Sequence, residues 1–203
     1  WEVQSNGDYD GDGKGDVLIR NANGRWHIYF LDGLNIKGNA RLSLPEDVAT
    51  QFAASGDYDG DGKSDLLIRQ ATGGWEMFLM DGGTIKSSGS VPLKKSLDWT
   101  VASSGDFNGD ETDDLLMRYK NGSWLVYQFD GFKVTTQGFL ELTTDLDWQL
   151  ASAGDFNGDG MADLLMRNSL RGNWQMFTMD NAHISSSSEV ALTDDLRWLV
   201  PRS

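Results

Sequence analysis

The chain repeats itself every 49 residues. The segments Gly7-Asp8-Tyr9-Asp10-Gly11-Asp12, Gly56-Asp57-Tyr58-Asp59-Gly60-Asp61, Gly105-Asp106-Phe107-Asn108-Gly109-Asp110 and Gly154-Asp155-Phe156-Asn157-Gly158-Asp159 place their first aspartates at 8, 57, 106 and 155. A period of about 20 to 50 residues marks a solenoid, a propeller or another array in which each unit packs on its neighbour. The repeats run 1–49, 50–98, 99–147 and 148–197 within one domain spanning 1–203, and 198–203 is either a tail or the start of a further repeat.

Each Asp-rich segment runs into a short apolar stretch closed by arginine: Val17-Leu18-Ile19-Arg20, Leu66-Leu67-Ile68-Arg69, Leu115-Leu116-Met117-Arg118 and Leu164-Leu165-Met166-Arg167. Short apolar runs bounded by turn residues suit strands buried on both faces. A Gly-containing turn leads to Trp26, Trp75, Trp124 or Trp174, each opening an aromatic-rich segment that ends at Asp32-Gly33, Asp81-Gly82, Asp130-Gly131 or the variant Asp180-Asn181. Asp-Gly is a strong signal for a two-residue hairpin, so another strand follows, as over Thr84 to Val91. The segment before each loop, such as Trp99 to Ser104, is rich in small residues and fits a crowded inner strand. The expected fold is therefore all-β: a β-propeller of four four-stranded antiparallel blades, with the Asp loop between the first and second strands of each blade. A closed four-blade ring is the favoured arrangement, against part of a larger propeller or two chains combining into eight blades. The spacing from Arg167 to Trp174 is one residue longer than in the other units.

With the first Asp as position 1, oxygen-bearing side chains fall at positions 1, 3, 5 and 9: Asp8, Asp10, Asp12, Asp16; Asp57, Asp59, Asp61, Asp65; Asp106, Asn108, Asp110, Asp114; and Asp155, Asn157, Asp159, Asp163. Ca²⁺ takes six to eight oxygens, and alternating aspartates in a tight loop wrap them around one point. A backbone carbonyl at position 7, from Lys14, Lys63, Thr112 or Met161, would complete the shell. Glycine at position 6 permits the sharp turn in three loops, while Glu111 stands there in the third, which must strain, bend differently or bind more weakly. Mg²⁺ fits less well because its small octahedral shell prefers to keep water. The bland alternative is a solvated Asp/Gly turn, but three or four carboxylates gathered four times over repel one another without a cation. One Ca²⁺ per repeat, up to four, is expected.

Charge agrees with this. The formal charge is -14 from 17 basic and 31 acidic residues, and 14 of the acidic residues sit at these loop positions. So acidic a chain repels nucleic acid and anionic membranes. With no cysteine there are no disulfides and no thiolate metal sites. No stretch approaches the roughly 20 apolar residues of a membrane-spanning helix.

The run Gly-Asp-Phe-Asn-Gly-Asp-Gly followed by Asp-Leu-Leu-Met-Arg, at 154–167, resembles the FG-GAP/VCBS repeat, and the likeness extends over essentially the whole chain. The resemblance implies an integrin α-subunit-like β-propeller with calcium between the first and second strands of a blade. The functions it implies are diverse, covering adhesion domains, lectins and accessory modules beside bacterial lyases and hydrolases. It supports the same loop positions, with Glu111 as the departure.

Catalysis would need special residues that break the repeat. His27 and His183 occupy unrelated positions of their repeats and have no Ser or Cys partner in sequence. The carboxylates are committed to the loops, which argues against a glycosidase pair. The repeated Arg20, Trp26, Arg69, Trp75, Arg118, Trp124, Arg167 and Trp174 form either four sugar-binding pockets, with rings stacked on sugar faces, or a packing motif in which Arg meets an Asp or a turn carbonyl. The function expected is a non-catalytic, calcium-binding module of the secreted or cell-surface kind, where millimolar calcium keeps modest sites filled. It would bind carbohydrate as a lectin or a cell-surface partner in adhesion, with self-association also open. The alternative is an accessory or catalytic part of a polysaccharide-degrading lyase or hydrolase.

Overall fold

The computed structural model describes residues 1–195. The segment 198–203, read from the sequence as a tail or the start of a further repeat, lies outside the described residues. Every regular element is a strand: β1 (Glu2–Gly7), β2 (Asp16–Arg20), β3 (Trp26–Asp32), β4 (Asn35–Leu42), β5 (Gln51–Gly56), β6 (Asp65–Arg69), β7 (Trp75–Asp81), β8 (Thr84–Ser90), β9 (Trp99–Gly105), β10 (Asp114–Tyr119), β11 (Trp124–Asp130), β12 (Lys133–Leu140), β13 (Trp148–Gly154), β14 (Asp163–Asn168), β15 (Trp174–Asp180) and β16 (His183–Val190). They form four sheets of four strands in chain order, β1 to β4, β5 to β8, β9 to β12 and β13 to β16. The chain is thus all-β, with four four-stranded antiparallel blades of the β-propeller class.

The two middle strands of a blade carry the apolar runs and are the most buried. All five residues of β6 are buried, whereas β8 alternates exposed and half-buried along its length, as expected of an outer strand with one wet face. Each first strand is bulged against the second, at Val3/Ser5, Phe52/Ala54, Val101/Ser103 and Leu150/Ser152. The third-to-fourth-strand hairpins have two-residue loops, one position later than the Asp-Gly pairs suggest. Asp32 pairs with Asn35 and Asp81 with Thr84, so Gly33-Leu34 and Gly82-Gly83 make the turns. Glycine leads because the first turn position needs positive φ, 59° at Gly33 and 60° at Gly82. In the fourth blade Asn181 and Ala182 both take positive φ, 51° and 59°. The inserted residue of that blade is absorbed in the β14–β15 turn, where Gly172 N–H reaches back four residues to Asn168 C=O. In the other blades the span is three, as from Gly73 to Gln70.

Two compact units are distinguished. In the first, comprising Trp1–Ser96 with Phe129–Val134, Tyr9, Leu18, Trp26, Ile28, Leu66, Ile68, Phe78 and Met80 form the core. In the second, Phe107, Leu116, Trp124, Val126, Leu164, Met166, Phe177 and Met179 do the same.

Blade follows blade by the same bonds within each unit. Ser64 N–H donates to Asp8 C=O (2.6 Å) and Gly82 N–H to Tyr9 C=O (3.0 Å). In the second unit Ala162 N–H donates to Asp106 C=O (2.6 Å) and Ala182 N–H to Phe107 C=O (2.7 Å). The start of each of these two Asp loops is thereby pinned by the following blade. Its position-2 aromatic, Tyr9 or Phe107, lies buried in the core of its unit.

Candidate metal centres

In all four loops the first aspartate organises the turn. Asp8 Oδ1 accepts N–H bonds from Gly11 (2.8 Å) and Asp12 (3.1 Å), and its Oδ2 accepts from Gly13 (2.7 Å). The second loop repeats this around Asp57, through Gly60, Asp61 and Gly62. In the fourth loop the amides of Gly158 and Gly160 hold the Asp155 carboxyl below its ordinary range, because each N–H favours the charged form. Position 5 caps position 7: the amides of Lys14, Lys63, Thr112 and Met161 donate to Asp12, Asp61, Asp110 and Asp159 at 2.9 to 3.1 Å.

The third loop keeps the common path despite its glutamate. Glu111 takes φ of 69°, beside 80°, 81° and 89° at Gly13, Gly62 and Gly160. Its amide donates to Asp106 Oδ2 (2.9 Å), as the glycines do to theirs. Of the three outcomes the sequence left open, this loop strains rather than bends differently.

Position 9 braces the loop from below. Asp16, Asp65, Asp114 and Asp163 are buried, and their Oδ2 atoms accept the amides of Tyr9, Tyr58, Phe107 and Phe156 at 3.0 to 3.2 Å. The Oδ1 atoms of Asp16, Asp65 and Asp163 accept from the amides of Leu31, Met80 and Met179 on the third strands of blades one, two and four. Burial pushes the Asp65 carboxyl up to about 7 and that of Asp114 to about 8, outweighing the amide bonds that favour the charged form.

Carboxylate oxygens converge in the first two loops. Those of Asp8, Asp10 and Asp16 lie within 4.8 Å of one another, as do those of Asp57, Asp59 and Asp61. Among the described residues, Asp10 Oδ1 and Asp59 Oδ1 are buried with no hydrogen-bond partner. An oxygen of that kind is costly unless a cation meets it, so the donor set fits a hard divalent ion.

Two lysines that the sequence reading passed over face these loops from the fourth strand. Lys37 Nζ lies 2.8 Å from Asp10 Oδ2 and 2.7 Å from Asp12 Oδ2, and Lys86 Nζ lies 2.8 Å from Asp59 Oδ2 and 3.0 Å from Asp61 Oδ2. The only signal in the sequence is that both stand 29 residues after the first aspartate of their loop.

The repeated arginines and tryptophans act together on the segment leading to the next blade. Each guanidinium lies over its tryptophan, 4.5, 4.6, 4.6 and 5.1 Å from the ring centroid in blades one to four. The Arg Nη atoms donate to carbonyls in that segment: Thr50 and Asp47 for Arg20, Ser96 for Arg69, Trp148 and Asp145 for Arg118, and Asp195 for Arg167. The indole N–H groups of Trp26, Trp75, Trp124 and Trp174 donate to Pro45, Lys94, Thr143 and Thr193. With Trp26, Trp75 and Trp124 buried, their faces serve packing, and Arg meets a backbone carbonyl rather than an Asp side chain. Two shallow clefts open beside this clasp. One, of about 480 Å³, is lined by Gln70, Thr72, Trp75, Ser90 and Lys95, and the other, of about 260 Å³, by Trp1, Glu2, Gln4, Arg20 and Asn21. His27 bonds Asn39 on the neighbouring strand (3.2 Å), and His183 is exposed on β16.

A family model described as an FG-GAP-like repeat matches residues 8–68, 57–117 and 106–166, each match running from one Asp loop through the next. No curated protein sequence matches the chain. Among solved structures, the chain is similar to the Photorhabdus luminescens Tc holotoxin pore at 12% identity, covering 97% of this chain and 12% of that one, with a TM-score of 0.44. It is similar to the WD40 domain of SCAP from fission yeast at 10% identity, covering 93% and 42% with a TM-score of 0.46. For the V. cholerae biofilm matrix protein Bap1 the identity is 20%, the coverage 90% and 29%, and the TM-score 0.36. The chain spans less than half the length of each of the three.

Proposed function

Because the chain belongs to the FG-GAP-like repeat family, we propose that it is an extracellular, calcium-stabilised binding module whose ligand is carbohydrate. The observation that carries the calcium reading is the convergence of Asp8, Asp10 and Asp16, and of Asp57, Asp59 and Asp61, around buried carboxylate oxygens without partners. Asp8, Asp10, Asp12 and Asp16 would hold the ion in the first loop with the Lys14 carbonyl. Asp57, Asp59, Asp61, Asp65 and the Lys63 carbonyl would serve in the second. In the third and fourth, Asn108 and Asn157 stand for one carboxylate each, beside Asp106, Asp110, Asp114 and Thr112, and Asp155, Asp159, Asp163 and Met161. The ion would supply the positive charge that lets several carboxylates share one turn. Millimolar calcium outside cells suits sites of modest affinity.

For the ligand, support comes from the cleft beside Trp75, whose Gln70, Thr72, Ser90 and Lys95 offer donors and acceptors in a volume suited to one or two sugar rings. All four arginine–tryptophan pairs, Arg69 and Trp75 included, serve the clasp, so the ligand would meet the polar side chains of this cleft rather than four ring-faced pockets. A glycan array read with and without chelator, paired with a turnover assay on acidic polysaccharides, tests the proposal. Calcium-dependent sugar binding without turnover is expected. Turnover would establish instead a part in polysaccharide degradation, and silence in both assays would remove the carbohydrate reading.

A further inference from the structure

The four loops differ in a compensated way. Where position 3 is aspartate, at Asp10 and Asp59, the fourth strand of the blade presents a lysine, Lys37 or Lys86. Where position 3 is Asn108 or Asn157, the corresponding residue is Thr135 or, past the inserted residue, Ser185. The donor to Oδ2 of the position-5 aspartate changes accordingly. It is Lys37 for Asp12 and Lys86 for Asp61, but the side-chain amide of Asn108 for Asp110 (2.9 Å) and of Asn157 for Asp159 (2.8 Å). Counting positions 1, 3, 5 and 9 with that fourth-strand residue, four aspartates and a lysine in the first two loops, and three aspartates in the others, each leave a formal charge of -3.

We propose that Lys37 and Lys86 are tethered counter-cations that set the calcium affinity of the first two loops, where an entering ion must displace an ammonium, while the third and fourth loops carry no such competitor. This rests on the calcium reading above. The ammonium sits on Oδ2 of both the position-3 and position-5 carboxylates, oxygens that a metal shell would draw on, and two cations cannot share them without repulsion. Both lysines are half exposed, so the ammonium can leave toward water when the ion arrives. The device holds the loop together at low calcium and lowers its affinity, giving one chain two classes of site.

The test is a calcium titration followed by backbone amide NMR. The position-6 amides of Gly13, Gly62, Glu111 and Gly160, each bonded to the first aspartate of its loop, report the four sites separately. Lys37→Met is expected to lower the midpoint at Gly13 about tenfold, a typical coupling between competing ligands, while leaving Gly62 unchanged. Lys86→Met should do the converse, and Lys37→Arg should keep the wild-type midpoint. A purely structural lysine would lower the calcium-free melting temperature without tightening calcium. An unchanged or weaker midpoint at Gly13 in Lys37→Met therefore overturns the proposal while the calcium reading stands. If none of the four amides responds in the wild-type chain, the calcium reading itself fails. Should Lys37→Met not fold, Asp10→Asn with Lys37→Ser copies these two positions of the fourth loop, Asn157 and Ser185, at unchanged charge. Its Gly13 midpoint is expected to move to that of Gly160, and a midpoint held at the wild-type value overturns the proposal.

Discussion

The guanidinium of Arg69 lies over the ring of Trp75, 4.6 Å from its centroid, while its Nη2 donates to the carbonyl of Ser96 at 2.7 Å. The pair fastens the end of β6 and the start of β7 to the segment that leaves the blade. A hydrogen bond to a charged group contributes about 1.5–3 kcal/mol, and a buried cation–π contact about 1–2 more. Arg69→Met is accordingly expected to cost about 3 kcal/mol in urea unfolding. Arg69→Lys should recover little, since an ammonium cannot both stack and reach the carbonyl. A loss under 1 kcal/mol for Arg69→Met would contradict the clasp.

Glu111 holds a left-handed backbone that costs a non-glycine residue about 1–2 kcal/mol. Glycine would remove that strain at an entropic cost of about 0.5–1 kcal/mol in the unfolded chain. Glu111→Gly should therefore stabilise the protein by roughly 0.5–1 kcal/mol, measured by urea melts in chelator. Destabilisation would mean that the glutamate side chain makes a contribution of its own.

Calcium removal should lower the melting temperature, because an ion that binds only the folded chain adds stability by mass action, about 2.7 kcal/mol per site at a hundredfold excess over Kd. Asp57→Asn should reproduce part of the loss and reduce the bound-calcium count by one in equilibrium dialysis. An identical melting curve in excess EDTA and in millimolar calcium would refute the calcium reading.

The pH dependence without calcium has a definite sign. Asp65 and Asp114, held at about 7 and about 8 by burial, keep their protons in the folded chain where the unfolded chain, with carboxyls near 3.8, has lost them. Stability from these groups is complete below about pH 4 and is lost as pH rises through 7 and 8. In EDTA the melting temperature should fall from pH 5 to pH 8. Calcium should reverse the trend, since it binds the ionised carboxylate. A calcium-free melting temperature that climbs over that interval would contradict this account.

How far the sequence could be read varies from residue to residue. The strand order and the Asp loop between first and second strands were legible because the 49-residue period aligns four copies of the same local signals, and an apolar run between turns has few other folds open to it. The hairpin loops were displaced by one residue, since Asp32-Gly33 is read as the turn until the pairing of Asp32 with Asn35 is seen. Glu111 was visible as a departure, but that the backbone would tolerate it at φ 69° was not.

What the sequence determined by itself was which residues recur, and recurrence identifies a blade and its loop because any unit repeated four times must satisfy the same packing each time. What only the tertiary structure decided was partnership. Trp26 and Arg20 could serve a sugar or a linker equally well until the linker carbonyls of Pro45, Asp47 and Thr50 were found against them. Lys37 looks like any surface lysine until β4 brings it onto Asp10 and Asp12. Spacing along a chain fixes the period of a pattern, whereas the meeting of a lysine with two aspartates 27 and 25 residues away depends on how strands pair and twist.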